Sequence, residues 1–106
     1  MSDTSTQLVP RALLQKAAQR FKLLSEPARL ELLNLLHTHG EMPVQDLVAA
    51  TGQSQANVSK HLKLLAQEGL VDKRKDGLYH HYRISDPSVA GLCLLMCGQL
   101  RSQAGD

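Results

Sequence analysis

The sequence predicts one small, mostly α-helical domain that carries a single β-hairpin in its second half. Three observations lead there. At 106 residues the chain has room for one core and not two. Apolar residues recur at helical spacing through most of it, and with only 3% aromatics the interior must be built from Leu, Val and Ala, which suits packed helices. One region alternates instead, on either side of Asp76-Gly77, and Asp-Gly between two β-like runs is a strong hairpin signal.

The elements follow in order. Residues 1–7 are polar and read as a disordered arm, residues 8–102 as the domain, and residues 103–106 as a tail. Leu8, Ala12, Leu13, Ala17, Phe21 and Leu24 mark a first amphipathic helix over 8–24, with Pro10 near its start. Ser25 is placed to cap a second helix, with Glu26 and Pro27 in its first turn and Leu30, Leu32, Leu33, Leu35 and Leu36 along it. His37 and His39 fall in its last turn, where a helix C-terminus favours cations, and Gly40 closes it. That placement accounts for the two histidines better than metal binding does. Residues 43–51 form a short third helix with Val44, Leu47 and Val48 inward, ended by Thr51 and Gly52. Ser54 caps a fourth helix that runs to Gln67, with Gly69 as its stop. Strands follow over Leu70–Lys75 and Leu78–Ile84, and Asp86-Pro87 opens a last helix that reaches about Ser102.

Two helices joined through Gly52-Gln53-Ser54 form a helix-turn-helix, and the hairpin after them makes it a winged helix-turn-helix. The fourth helix divides by chemistry. Val58, Leu62 and Leu65 point inward, while Gln53, Ser54, Gln55, Asn57, Ser59, Lys60 and His61 lead or point outward. Gln and Asn can pair bidentately with adenine, and Ser and Lys reach bases or phosphates, so this helix suits a major groove. On the hairpin, Lys73, Arg74 and Lys75 lead into the turn and His80 and Arg83 lead out, which suits phosphate or minor-groove contact. On the return strand Tyr82 and Ile84 are expected to pack, and His81 and Arg83 to be exposed.

Charge supports the same reading. The chain is +2 overall, but residues 54–83 alone are +3, a local basic surface on a nearly neutral chain. Double-stranded DNA is the expected partner. The alternative is a winged helix used only for protein contacts. No phosphate-cradling Gly loop, paired catalytic carboxylates or Ser/His/Asp arrangement is evident, so an enzyme is not expected and no cofactor is required. No run of about 18 apolar residues exists and the N-terminus lacks a signal-peptide layout. The expectation is therefore a cytoplasmic protein without a membrane partner, in which cysteines are normally reduced.

The runs Leu24-Ser25-Glu26-Pro27-Ala28-Arg29-Leu30-Glu31-Leu32-Leu33 and Ser54-Gln55-Ala56-Asn57-Val58-Ser59-Lys60-His61-Leu62-Lys63-Leu64-Leu65, with Gly69-Leu70-Val71 after them, resemble the second and recognition helices of the ArsR/SmtB repressors. Arg74 through Gly77 to Tyr82 resembles their wing, and the similarity covers about residues 12–100. The resemblance implies a homodimer joined through the first and last helices. It also implies a transcriptional repressor on an inverted-repeat operator, released by an inducer.

The familiar sensing sites of that family are absent. Glu41-Met42-Pro43-Val44-Gln45-Asp46 holds no thiol where a Cys-x-Cys pair would stand, and Asp86 has no His following it on the last helix. Cys93 and Cys97 remain, four apart and so on one helical face. They are the candidate inducer site. Reactive sulfur or an oxidant comes first, then a thiophilic metal or arsenical, which would make the pair metal ligands. The competing reading is packing, because Val89, Cys93, Met96, Cys97 and Leu100 form one apolar stripe with the thiols at its centre.

Overall fold

The computed structural model describes residues 8–105, so the arm expected at 1–7 lies outside the described residues. The elements run α1 (Arg11–Leu24), α2 (Pro27–His39), β1 (Glu41–Pro43), α3 (Val44–Thr51), α4 (Gln55–Gln67), β2 (Val71–Asp76), β3 (Tyr79–Ile84) and α5 (Pro87–Gln103). The expected helices and hairpin are all present, and the sheet has one strand more.

That extra strand is β1. It pairs antiparallel with β3 through Glu41↔Arg83, Met42↔Tyr82 and Pro43↔His81, and the sheet order is β1-β3-β2. The return strand of the hairpin is thus central, not an edge. His81, expected to be exposed, is half-buried because β1 covers its other side. Met42 and Tyr82 meet on the opposite face and join the core.

The core gathers Leu32, Leu33 and Leu36 of α2, Leu47 of α3, Val58, Leu62 and Leu65 of α4, and Leu70, Val71, Tyr82 and Val89. All but Tyr82 and Val89 are at most 1% exposed, and burying each such aliphatic side chain is worth about 1.5–3 kcal/mol. α4 is therefore pinned along one face before it meets any partner.

Helix ends follow local chemistry, with one correction. Ser25 closes α1 instead of opening α2: its Oγ donates to the Lys22 carbonyl at 2.7 Å, and Glu26 is the N-cap residue of α2. Ser54 does cap α4, its Oγ accepting from Asn57 N–H at 3.1 Å. Asp86 caps α5 by accepting from Ser88 N–H at 3.0 Å, and Arg20 of α1 reaches the same carboxylate at 2.6 Å. This hydrogen-bonded setting holds the Asp86 carboxyl below its ordinary value, with Ser88 the main cause and Arg20 adding to it.

α1 contributes no buried residue and α5 contributes only Val89. Leu13, Phe21, Leu95, Met96 and Leu100 of these two helices all remain exposed. No helix among the described residues is long and apolar enough to cross a membrane.

Candidate nucleic-acid interface

The turn between α3 and α4 is fixed by backbone conformation. Gly52 sits at φ +75°, the left-handed region, and its N–H closes α3 on the Val48 carbonyl at 3.0 Å. Gln53 N–H then donates to Thr51 Oγ1 at 3.2 Å, and Ser54 starts α4. The Gln53 side chain turns inward rather than toward a groove. Its Nε2 lies 3.4 Å from both the Ala28 carbonyl and Glu31 Oε1, against α2, and its Oε1 is buried without a partner. Gln53 thus braces the turn, contrary to the outward role expected of it.

On α4, Gln55, Asn57, Ser59 and Lys60 are exposed as expected, and Ser54 is exposed with its hydroxyl oxygen engaged in capping. At about 100° per residue, Ala56, Ser59, Lys60 and Lys63 line the solvent-facing stripe. Lys63, absent from the expected set, belongs to it: it is exposed one turn beyond Lys60 and Ser59. His61 does not belong there. It is 8% exposed, and its Nδ1 accepts from Arg29 Nε at 3.1 Å. Its position, three after Val58 and four before Leu65, places it on the buried stripe, and that spacing was the signal to read. Burial, then the Arg29 charge, pushes its pKa down, so it is held neutral with the proton on Nε2. Arg29 Nη1 also donates to the Leu23 carbonyl at 3.2 Å, so the Arg29–His61 contact ties α1, α2 and α4 together.

The wing splits the five expected cations between its two faces. Directly opposed residues share a face, so Asp72, Arg74 and Asp76 lie with Tyr79, His81, Arg83 and Glu41. Lys73, Lys75 and His80 lie on the other side with Tyr82, and the two lysines are exposed. The first face is internally balanced. Arg74 grips Glu41 bidentately, Nη2 to Oε1 at 2.7 Å and Nε to Oε2 at 3.1 Å, and approaches Asp76 at 3.9 Å. Arg83 lies 3.8 Å from Asp72, and His81 3.9 Å from Asp76. The Arg74 hydrogen bond holds Glu41 below the usual carboxylate range, and Glu41 in turn raises Arg74. Among the described residues neither Lys73 nor Lys75 is in an ion pair.

The turn itself is one residue later than expected. Asp76 pairs with Tyr79, leaving Gly77-Leu78 as the two-residue loop. Gly77 has φ +63° and among the described residues no non-glycine residue, Leu78 included, has positive φ, which is the type II′ pattern. Leu78 therefore stands at the tip, 93% exposed, not on the packed face.

No disulfide joins Cys93 and Cys97. In the single chain Cys93 is half-buried against the core and Cys97 is exposed. Burial, with Cys97 adding to it, pushes the Cys93 thiol up. No group of three or more His, Cys, Asp or Glu side chains suited to a metal occurs among the described residues.

Residues 26–73, from α2 into the wing, match the family described as bacterial regulatory protein, arsR family. The chain is 46% identical over 67 residues to the arsenical resistance operon repressor of Escherichia coli, covering 63% of this chain and 57% of that one. It is 36% identical over 92 residues to the repressor of the same description from Bacillus subtilis, covering 87% and 83%. Among solved structures, it superposes on the AntR antimony-specific transcriptional repressor with TM-score 0.86 at 31% identity, over 93% of this chain and 89% of that one. It also superposes on the homodimeric winged helix-turn-helix DNA-binding domain from Mycobacterium bovis with TM-score 0.80 at 34% identity, over 89% and 86%. These relatives are regulators and not enzymes, in line with the expectation from sequence. Fold, turn and family match agree: the chain is a winged helix-turn-helix protein and belongs to the arsR family of bacterial regulatory proteins.

Proposed function

We propose that the chain is a homodimeric transcriptional repressor of the cytoplasm that binds an inverted-repeat operator in double-stranded DNA and leaves it when an inducer engages Cys93 and Cys97. The observation that carries the DNA reading is α4: its inner stripe is fully buried while Ser59, Lys60 and Lys63 stand outward, flanked by Gln55 and Asn57. Side chains of this kind read base edges and hold phosphates, and the rigid inner face fixes their aim. Lys73 and Lys75 of the wing add phosphate contacts. Two copies about one DNA turn apart, roughly 34 Å, would read the two half-sites.

Fluorescence anisotropy with duplex DNA from upstream of the chain's own gene tests this. Lys60→Ala is expected to weaken binding and to flatten the dependence of log K on log salt by about 0.9, the share of one phosphate contact. A wild-type chain with no salt-dependent affinity for that duplex would leave the protein-contact reading instead.

For the inducer, the chemistry of the pair favours a thiophilic element over an oxidant. An elevated Cys93 thiol is a poor spontaneous nucleophile, whereas a soft ion displaces the protons itself. The arsenical and antimony descriptions of the relatives support the same choice. Two thiolates four apart supply two ligands, and a third would come from the partner copy. Arsenite and antimonite should release wild-type DNA complexes, and Cys93→Ser or Cys97→Ser should abolish release. Persulfide releasing the complex while arsenite does not would restore the sulfur reading.

A further inference from the structure

We propose that Glu41 sets the wing's affinity for DNA by occupying Arg74 in place of a phosphate. The inference rests on the DNA-binding reading above and adds to it a residue that carries no positive charge and lies outside both helix-turn-helix and hairpin.

The geometry is specific. Arg74 presents its guanidinium edge to both Glu41 oxygens, at 2.7 and 3.1 Å, the same forked contact that guanidinium makes with a phosphate. Glu41 is delivered by β1, whose register with β3 sets it beside Arg83 and across the sheet from Arg74. Its whole face pairs acids with bases, Glu41 and Asp76 with Arg74, Asp72 with Arg83, and Asp76 with His81. Lys73 and Lys75 of the opposite face have no such partners among the described residues. Of the five expected wing contacts, Arg74 and Arg83 are thus ion-paired and His80 is half-buried, which leaves Lys73 and Lys75 as the exposed cations outside any ion pair among the described residues. The Arg74–Glu41 pair is half-exposed, so exchanging it for a phosphate is nearly balanced, and either partner can hold the guanidinium.

The test uses the full-length protein and a random-sequence 30-base-pair duplex, with anisotropy measured across a salt series. Glu41→Gln should bind up to about fivefold tighter, the span of a half-exposed ion pair, and its salt slope should steepen by about 0.9 as Arg74 gains a phosphate. Arg74→Ala in the wild-type background should change affinity little. In the Glu41→Gln background the same substitution should erase both the gain and the extra slope. A gain that survives in Glu41→Gln/Arg74→Ala would mean that Glu41 merely repels DNA, and the proposal would fall. So would unchanged or weaker binding by a Glu41→Gln protein whose melting temperature matches wild type. The DNA-binding reading is judged separately: it fails if wild type shows no salt-dependent binding, and it survives every outcome in which Lys60→Ala weakens wild-type binding.

Discussion

His61 shows how one side chain can look like a DNA contact and serve the core. Its imidazole is a hydrogen-bond acceptor for Arg29, and protonation would put a donor against a guanidinium. In the unfolded chain the ring takes its proton near pH 6.5, while in the folded chain burial, Arg29 and Lys60 lower that value against a smaller opposing pull from Glu26. The unfolded state therefore binds more protons once the pH drops below about 6.5. This contribution to stability is complete above that pH and is lost on the way down to the folded value. Urea midpoints at pH 7.5 and 5.5 should differ more for wild type than for His61→Gln. His61→Ala, which leaves Arg29 Nε without this acceptor, should cost about 1–3 kcal/mol in the same measurement at pH 7.5. Lys63 is the opposite case. It is exposed beside Lys60 on α4, so Lys63→Ala should leave the urea midpoint unchanged and weaken DNA binding with a slope loss of about 0.9.

At the scale of elements, the wing's turn depends on one glycine in the left-handed region. Gly77 holds φ +63°, and a Cβ added there would have no neighbour within 4 Å, so a side chain meets no clash but does meet the left-handed backbone penalty. Gly77→Ala should cost about 1–2 kcal/mol, visible as a lower melting temperature. What the sequence reveals about elements follows from how many residues each one uses. The helices are long enough for the 3.6-residue period to show through Leu32, Leu33 and Leu36 or Val58, Leu62 and Leu65. β1 spans only three residues and its partner Arg83 lies far along the chain, so no local alternation could reveal it. The same strand brings Glu41 to Arg74, which is why Arg74 could be recognised as a cation but not as an ion-paired one; Arg83 is paired within the hairpin itself, by Asp72. Ser25 was ambiguous for another reason: a serine between two helices can bond back to the first or forward to the second, and the Lys22 carbonyl won.

At the scale of the molecule, a single copy is poorly closed. Its radius of gyration is 16.1 Å and its extents are 55 × 38 × 20 Å, whereas a compact domain of this length has a radius of about 13 Å. Two of its helices, α1 and α5, hold exposed Leu13, Leu14, Phe21, Leu94, Leu95, Met96 and Leu100 and flank a cleft of about 340 Å³ lined by Leu13, Phe21, Val89 and Leu92. Exposed apolar side chains on two helices that share a cleft are what a second copy would cover. Its removal can be tested without touching the core, since Leu95 and Leu100 are 75% and 54% exposed. Leu95→Glu/Leu100→Glu should sediment as a monomer at concentrations where wild type sediments as a dimer. Its melting temperature should lose the concentration dependence that a dimer shows. On an inverted-repeat duplex it should bind about 10²–10⁴-fold more weakly, because the second half-site contact is no longer intramolecular. On a single half-site the variant and wild type should bind alike, since α4 and the wing are unchanged. Equal loss on both duplexes would instead place α5 in the support of the recognition helix, with dimerisation carried elsewhere.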